Sequence, residues 1–336
     1  MKRTSIVVLI LCAGWVSLAW GQQPGCKHSP LWAEFHKQNM QRWNQCENVL
    51  NVSNVGNLSL KWSHRVRVGV VDSSPAVANG VVYIGADGPV YALNARTGNL
   101  LWGYATGKYV VSSPAVANGV VYVGSDNNNL YALNARTGAK LWTYTTRSGV
   151  FPSPAVANGV VYVGSADSNV YALNARTGAL AWSYTTGSYV YSSPAVANGV
   201  VFVGSQDGNL YALDAGTGAK LWSYTTGAEV SSSPAVANGV VFVGSWDNNV
   251  YALNASTGAK LWSYGTGSLV ESSPAVANGV VYVGSDDNNV YALDAITGTE
   301  LWSYTTGSAL YSSPAVTNGM VYVGSYDGNV YAFGLK

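Results

Sequence analysis

Seven times between Pro75 and the C-terminus the chain spells nearly the same phrase, SSPAVANGVVYVGSxDNNVYALNAxTGAKLWSYTTG. The copies are marked by Pro75, Pro114, Pro154, Pro194, Pro234, Pro274 and Pro314, and from Pro114 onward they recur every 40 residues. A repeat of this length is one supersecondary unit that cannot bury its apolar face alone, so neighbouring units must pack together into an array. Near-identity between copies has a second use: the few positions that change stand out within a single sequence.

Each copy reads as four short strands. SPAVA is the first, and Asn118-Gly119 or Asn158-Gly159 after it is a hairpin signal, because a type I′ turn needs two positive φ values. GVVYVGS follows as a β-branched and aromatic second strand carrying Tyr122, Tyr162 or Tyr282. In the GSxDxN turn, Asp167, Asp207 and Asp247 can each accept a hydrogen bond from the backbone two residues on. NVYALNA is the third strand, Thr137-Gly138 and Thr177-Gly178 close the next loop, and LWSYTT is the fourth. Helical periodicity is absent. Four antiparallel strands per ~40 residues describe a β-propeller blade, whereas solenoid coils are shorter and lack the paired hairpin turns.

The expected fold is all-β, a seven-bladed propeller of four-stranded antiparallel blades. Fourth-strand tryptophans number seven (Trp62, Trp102, Trp142, Trp182, Trp222, Trp262 and Trp302), and third strands also number seven, from Tyr91 to Tyr331. The array begins with a fourth strand and ends with a third. Residues 60–66 are therefore expected to supply the outer strand of the C-terminal blade and close the ring, which removes its open edges.

Composition bounds the partners. Charged residues make up only 10%, against ~25% in typical domains, and 17 Lys and Arg nearly balance 16 Asp and Glu. Without a basic run to neutralise phosphates, a nucleic-acid partner is disfavoured. Lys2 and Arg3, the apolar stretch 5–18 and Ala19-Trp20-Gly21 have the layout of a secretory signal peptide. Residues 1–21 are thus expected to be removed, 22–58 to form a non-repeating extension and 59–336 the propeller. No membrane span is expected after cleavage, and the product is expected to be a monomer in the periplasm or outside the cell. Cys26 and Cys46 would then be the two thiols of an exported chain and are expected to pair.

Ala132 to Trp142 (Ala-Leu-Asn-Ala-x-Thr-Gly-x-x-x-Trp) and Val161 to Asp167 (Val-Tyr-Val-Gly-Ser-x-Asp) resemble the pyrroloquinoline-quinone-type β-propeller repeat, and the likeness runs over roughly residues 60–336. The resemblance implies that Trp62 to Trp302 are docking residues, each packed on a neighbouring blade beside the Ala and Gly of the turn motif. Residues 32–36 and 54–62 also look like the leader of secreted bacterial members. The dehydrogenases of this family have eight blades, adjacent cysteines over the quinone and a calcium site with a catalytic Asp. This chain has seven copies, no cysteine within them and no insertions between them. Fold does not carry activity, and these departures argue against PQQ and Ca²⁺ as cofactors.

Histidine is confined to His28, His36 and His64, and no metal-ligand spacing or nucleophilic triad is present. Variation between copies is the stronger signal. The second-to-third-strand turn and the loop leading into each blade belong to one face. There the x of GSxD is Asp126, Ala166, Gln206, Trp246, Asp286 and Tyr326. The residue before Ser-Ser-Pro or its equivalent is Val111, Phe151, Tyr191, Ser231, Glu271 and Tyr311, and two residues earlier stand Tyr109, Gly149, Tyr189, Glu229, Leu269 and Ala309. Lys108 and Arg147 lie close by. From this set Lys108, Tyr109, Arg147, Tyr189, Tyr191, Glu229, Trp246, Glu271, Asp286, Tyr311 and Tyr326 are the expected contact residues for a protein or peptide partner. On the other face Arg96, Arg136, Arg176, Gly216, Ser256 and Ile296 also vary. The leading expectation is a non-enzymatic exported scaffold. The alternatives are a quinoprotein-type enzyme, with Trp246 as a stacking wall and Glu271 or Asp286 as base or metal ligand, and a purely structural repeat.

Overall fold

The structure, a computed structural model, describes residues 61, 63–64, 71, 73–317 and 320–334. The expected signal peptide, the extension and the Cys26–Cys46 bridge lie outside the described residues, as does Trp62. Within them the chain forms seven antiparallel sheets, six of four strands and a last one of three, each paired in simple sequence order. Blade 1 consists of Ala76–Ala78, Val81–Gly85, Pro89–Asn94 and Leu100–Ala105. Blade 2 repeats it as Ala115–Ala117, Val120–Gly124, Asn129–Asn134 and Lys140–Thr145. Blades 3 to 6 follow at 155–185, 195–225, 235–265 and 275–305, and blade 7 is Ala315–Thr317, Met320–Gly324 and Val330–Gly334. This is the seven-bladed propeller expected from the repeat.

Turn chemistry sets the register. Asn118 and Gly119 adopt φ of 50° and 77°, so Ala117 pairs with Val120 across a two-residue turn. Asp167 Oδ1 accepts from the Asn169 N–H at 3.0 Å, which pins the second turn of blade 3. Its Oδ2 takes the Tyr171 hydroxyl at 2.7 Å and the Arg147 N–H at 2.8 Å. One carboxylate thereby ties its own blade to the loop that leads into it. Blade 1 has a shorter turn, in which the Ala86 N–H bonds the Pro89 carbonyl, and this accounts for the shorter first interval.

Between blades the contacts are equally regular. Trp142 Nε1–H donates to the Ala175 carbonyl of blade 3 at 3.0 Å, and the Tyr122 hydroxyl donates to the same oxygen at 2.9 Å. The Trp142 indole lies flat on Gly178, where a Cβ would come within 2.7 Å of the ring. The second serine of Ser-Ser-Pro adds a belt near the axis. The Ser74 N–H donates to Ser113 Oγ, and Ser113, Ser153, Ser193, Ser233 and Ser273 each pass the same bond to the next blade, at 2.9–3.0 Å. Six links thus join seven blades, five of them through the buried hydroxyls of Ser113, Ser153, Ser193, Ser233 and Ser273, which would cost stability if left unpaired.

Blade 7 departs from the pattern. Val330 is 79% exposed although its counterpart Val290 is fully buried. Trp302 is 38% exposed and meets the Phe333 ring at 4.8 Å. The carbonyl that would receive its indole N–H belongs to residue 335, outside the described residues. The expected pairing of 60–66 with the last blade also falls outside them. His64 nevertheless holds a telling position, with its ring 6.2 Å from Tyr91. The same step relates Tyr104 to Tyr131 and Tyr144 to Tyr171, at 5.5 and 5.4 Å. His64 therefore sits where a fourth strand preceding blade 1 would put it.

Candidate functional site

On one face of the propeller, backbone bonds join the two loops whose residues vary. The x residue of each GSxD turn donates its N–H to the loop entering the same blade. Asp126 bonds Tyr109, Ala166 bonds Gly149, Gln206 bonds Tyr189, Trp246 bonds Glu229, Asp286 bonds Leu269 and Tyr326 bonds Ala309, all at 2.9–3.0 Å. Constant side chains hold this frame. Around the loop leading into blade 5 the Thr226 hydroxyl lies between the Gly208 and Ala228 carbonyls, within hydrogen-bond reach of both, Ser245 Oγ donates to the Glu229 carbonyl, and Asp247 Oδ2 accepts from the Gly227 N–H. In the leading segment the middle residue (Val110, Val150, Val190, Val230, Val270 or Leu310) is buried as a plug. Most of the residues that flank each plug are exposed or half-buried, Tyr109, Tyr189, Tyr191 and Tyr311 being exposed. The backbone is fixed and the side chains on it differ from blade to blade.

The eleven expected contact residues fall into two groups. Lys108, Tyr109 and Arg147, on the loops leading into blades 2 and 3, are exposed. The other eight lie along an arc over blades 4 to 7. Tyr189 and Tyr191 meet at a tilt of 49° with ring centroids 5.9 Å apart, and Tyr191 meets Phe151 edge-on at 5.6 Å. Tyr311 and Tyr326 form another edge contact at 4.8 Å. Glu229, Trp246, Glu271 and Asp286 lie between these aromatic pairs and are half-buried.

Electrostatic coupling shows that the arc is continuous. Burial, then the Asp286 and Glu229 carboxylates, push the Glu271 carboxyl above its ordinary range. Burial and neighbouring Asp287 do the same to Asp286. The Tyr191 hydroxyl is raised by burial, Tyr189 and Glu229, and that of Tyr311 by Asp286 first, then burial, Glu271 and Tyr326. Among the described residues, four buried side-chain polar atoms have no hydrogen-bond partner, and all four are here: Glu229 Oε2, Ser231 Oγ, Trp246 Nε1 and Asp286 Oδ1. Buried polar groups are almost always paired, so such a concentration marks a place set apart from the scaffold.

Ser231 and Phe151 join this constellation although the contact set expected from sequence omits them. Both occupy the variable position before Ser-Ser-Pro or its equivalent, which is the signal that could have included them. The opposite face is plainer. Arg96, Arg136 and Arg176 are exposed, and their N–H groups cap Asn94, Asn134 and Asn174 Oδ1 at 3.0 Å.

The three cysteines lie at 12, 26 and 46, none within the repeats. Among the described residues, no three His, Cys, Asp or Glu side chains come together as a metal-holding group. Glu229, Glu271 and Asp286 are spread along the arc instead of converging on a point.

Comparison with known proteins places this geometry. No curated protein sequence matches the chain. Many solved structures share its fold, among them the following three. BamB from Moraxella catarrhalis is 24% identical with TM-score 0.73, over 82% of this chain and 88% of that one. The computationally designed Ika8 protein is 22% identical with TM-score 0.72, over 78% and 83%. A quinohemoprotein alcohol dehydrogenase from Pseudomonas putida is 19% identical with TM-score 0.79, over 91% and 71%. A family model described as outer membrane protein assembly factor BamB matches residues 86–191, 186–271 and 266–336. The repeat likeness, the blade architecture and this match over most of its length agree: the chain belongs to the PQQ-type propeller family of the outer membrane protein assembly factor BamB.

Proposed function

We propose that the protein is an exported, non-enzymatic propeller scaffold that binds a protein or peptide partner through the loop face over blades 4 to 7. The carrying observation is the coincidence of two patterns. Eight of the eleven expected contact residues and all four of the described buried polar atoms that lack partners lie on the same arc. Drift on a solvated surface would scatter substitutions without leaving unpaired buried groups in one place. Tyrosine and tryptophan on a rigid frame suit recognition, because they offer large flat contacts at little cost in side-chain entropy. The family description, an assembly factor, supports a binding role over turnover.

The test is crosslinking capture with the mature protein in its native envelope, compared with a variant in which Tyr191, Trp246 and Tyr311 are replaced by alanine. A defined partner captured by the wild type and lost from the variant is expected. Equal capture by both would overturn the assignment of this face.

A further inference from the structure

We infer that the arc over blades 4 to 7 is a recognition site for an arginine side chain presented by an extended segment of the partner. The inference rests on the binding role proposed above and names the chemistry of what is bound. Three observations carry it. The acidic groups of the arc are Glu229, Glu271 and Asp286, and the two exposed cations of the expected contact set, Lys108 and Arg147, lie outside it on the loops leading into blades 2 and 3. The carboxylates are flanked by aromatic faces, Tyr189 and Tyr191 on one side, Tyr311 and Tyr326 on the other, with Trp246 between them. Two of the unpaired buried atoms are acceptors (Glu229 Oε2 and Asp286 Oδ1), one is a donor (Trp246 Nε1–H), and Ser231 Oγ can be either.

That inventory selects among ligand classes. A metal ion would satisfy the acceptors but not the indole N–H, and the carboxylates do not gather into a metal-holding group. An anion would meet charge repulsion, and a purely apolar segment would leave all four atoms unpaired. A guanidinium supplies several N–H donors in one plane, matches carboxylate geometry and stacks on aromatic rings. The peptide that carries it supplies carbonyl oxygens for Trp246 Nε1–H and Ser231 Oγ. Lysine offers the same charge as a point, without the planar fork, and should bind less well. Glu229, Ser231, Trp246 and Asp286 are only partly buried as residues, so a segment arriving from solvent meets the side chains that carry the unpaired atoms.

The test is a fluorescence-anisotropy titration of the full mature chain with labelled Gly-Arg-Gly-Arg-Gly and two matched probes. In one each arginine is replaced by citrulline, its neutral isostere; in the other, by lysine. The arginine probe is expected to bind at least about tenfold more tightly than the citrulline probe, equivalent to ~1.4 kcal/mol, with lysine in between. Glu229→Gln and Asp286→Asn should each remove about tenfold of that affinity, whereas Arg136→Ala, on the opposite face, should not weaken it. Circular dichroism of each variant separates lost binding from lost fold. Equal binding of the arginine and citrulline probes, no detectable binding of either, or full affinity in both carboxylate variants would each overturn the inference. The partner reading fails separately: a partner captured through this face but not displaced by the arginine probe would leave it standing and refute only the arginine assignment.

Discussion

Phe242→Tyr should stabilise the protein, and the molecule contains its own control for the magnitude. In blades 1 to 3 the second-strand tyrosines Tyr83, Tyr122 and Tyr162 donate their hydroxyls to Ala135, Ala175 and Ala215 carbonyls at 2.9–3.0 Å. Each carbonyl also accepts an indole N–H, so both of its lone pairs are used. In blades 4 and 5 phenylalanine takes the tyrosine's place, and the Ala255 and Ala295 carbonyls receive only Trp222 and Trp262 Nε1–H, at 3.0 and 3.1 Å. The rings have not moved: Phe242 lies 5.8 Å from Trp262 at 43°, and Tyr162 lies 5.9 Å from Trp182 at 45°. A hydroxyl added to Phe242 is thus aimed at an acceptor with a free lone pair. A made hydrogen bond contributes ~0.5–1.5 kcal/mol, while a buried hydroxyl without a partner costs ~1–3 kcal/mol, so the two outcomes differ in sign. Urea unfolding followed by tryptophan fluorescence should show a higher midpoint at unchanged slope. Phe202→Tyr acts on a different carbonyl, so the double variant should approach the sum. A lowered midpoint for Phe242→Tyr would refute the idea that blades 4 and 5 lack only a hydroxyl.

Gly178→Ala should destabilise strongly, by ~2 kcal/mol or more, because the new Cβ meets the Trp142 ring at 2.7 Å and φ is +73°; thermal unfolding checks it, and a near-neutral result would mean that the indole is free to shift. Asp207 predicts an acid transition. Burial alone would raise its carboxyl, but hydrogen bonds from Tyr211, Asn209 and Gly187 outweigh it and hold it below the ordinary 3.8. A lowered folded-state pKa contributes stability that is present above the unfolded value and lost as pH falls through the folded one. Melting temperature should therefore drop below about pH 4, and Asp207→Asn should make the drop shallower; an unchanged pH profile would show that this carboxylate does not contribute to it.

The blade was legible because its determinants are local. Asn118-Gly119 specifies a turn by backbone strain alone, and Asp167 bonds within its own turn, so both can be read without knowing what lies beside them. The serine belt was not legible in the same way. Ser113 and Ser153 look like turn residues in sequence, and only the juxtaposition of two blades shows that one donates an N–H to the hydroxyl of the other. Fourth-strand leucines are placed by pairing as well. The register shift at Ala132/Leu133 pairs Trp142 and Lys140 with those residues and leaves the apolar Leu141 bulged and exposed. For the candidate site, sequence variation identified the positions, but which of them are buried and unpaired depended on packing. Ser231 shows the difference, since a small polar residue among variable neighbours carries no signal until its hydroxyl is seen without a partner.

Glu271 links the site to stability, and the sign of that link tests what the arc is for. Its carboxyl is raised above the ordinary 4.5 by burial, by Asp286 and by Glu229. A group raised in this direction favours the neutral form in the folded state, so above its folded pKa the native protein holds a charge it disfavours. Below the unfolded value the group is neutral in both states and the penalty vanishes. Glu271→Gln should therefore raise the melting temperature at pH 7 and make little difference below about pH 4, while weakening the arginine probe. Residues that improve a scaffold when removed yet are needed for binding are expected where affinity and stability compete. A Glu271→Gln protein that is less stable at neutral pH would show that Glu271 is satisfied within the fold, and the acidic arc would then be part of the scaffold and not a surface kept for a partner.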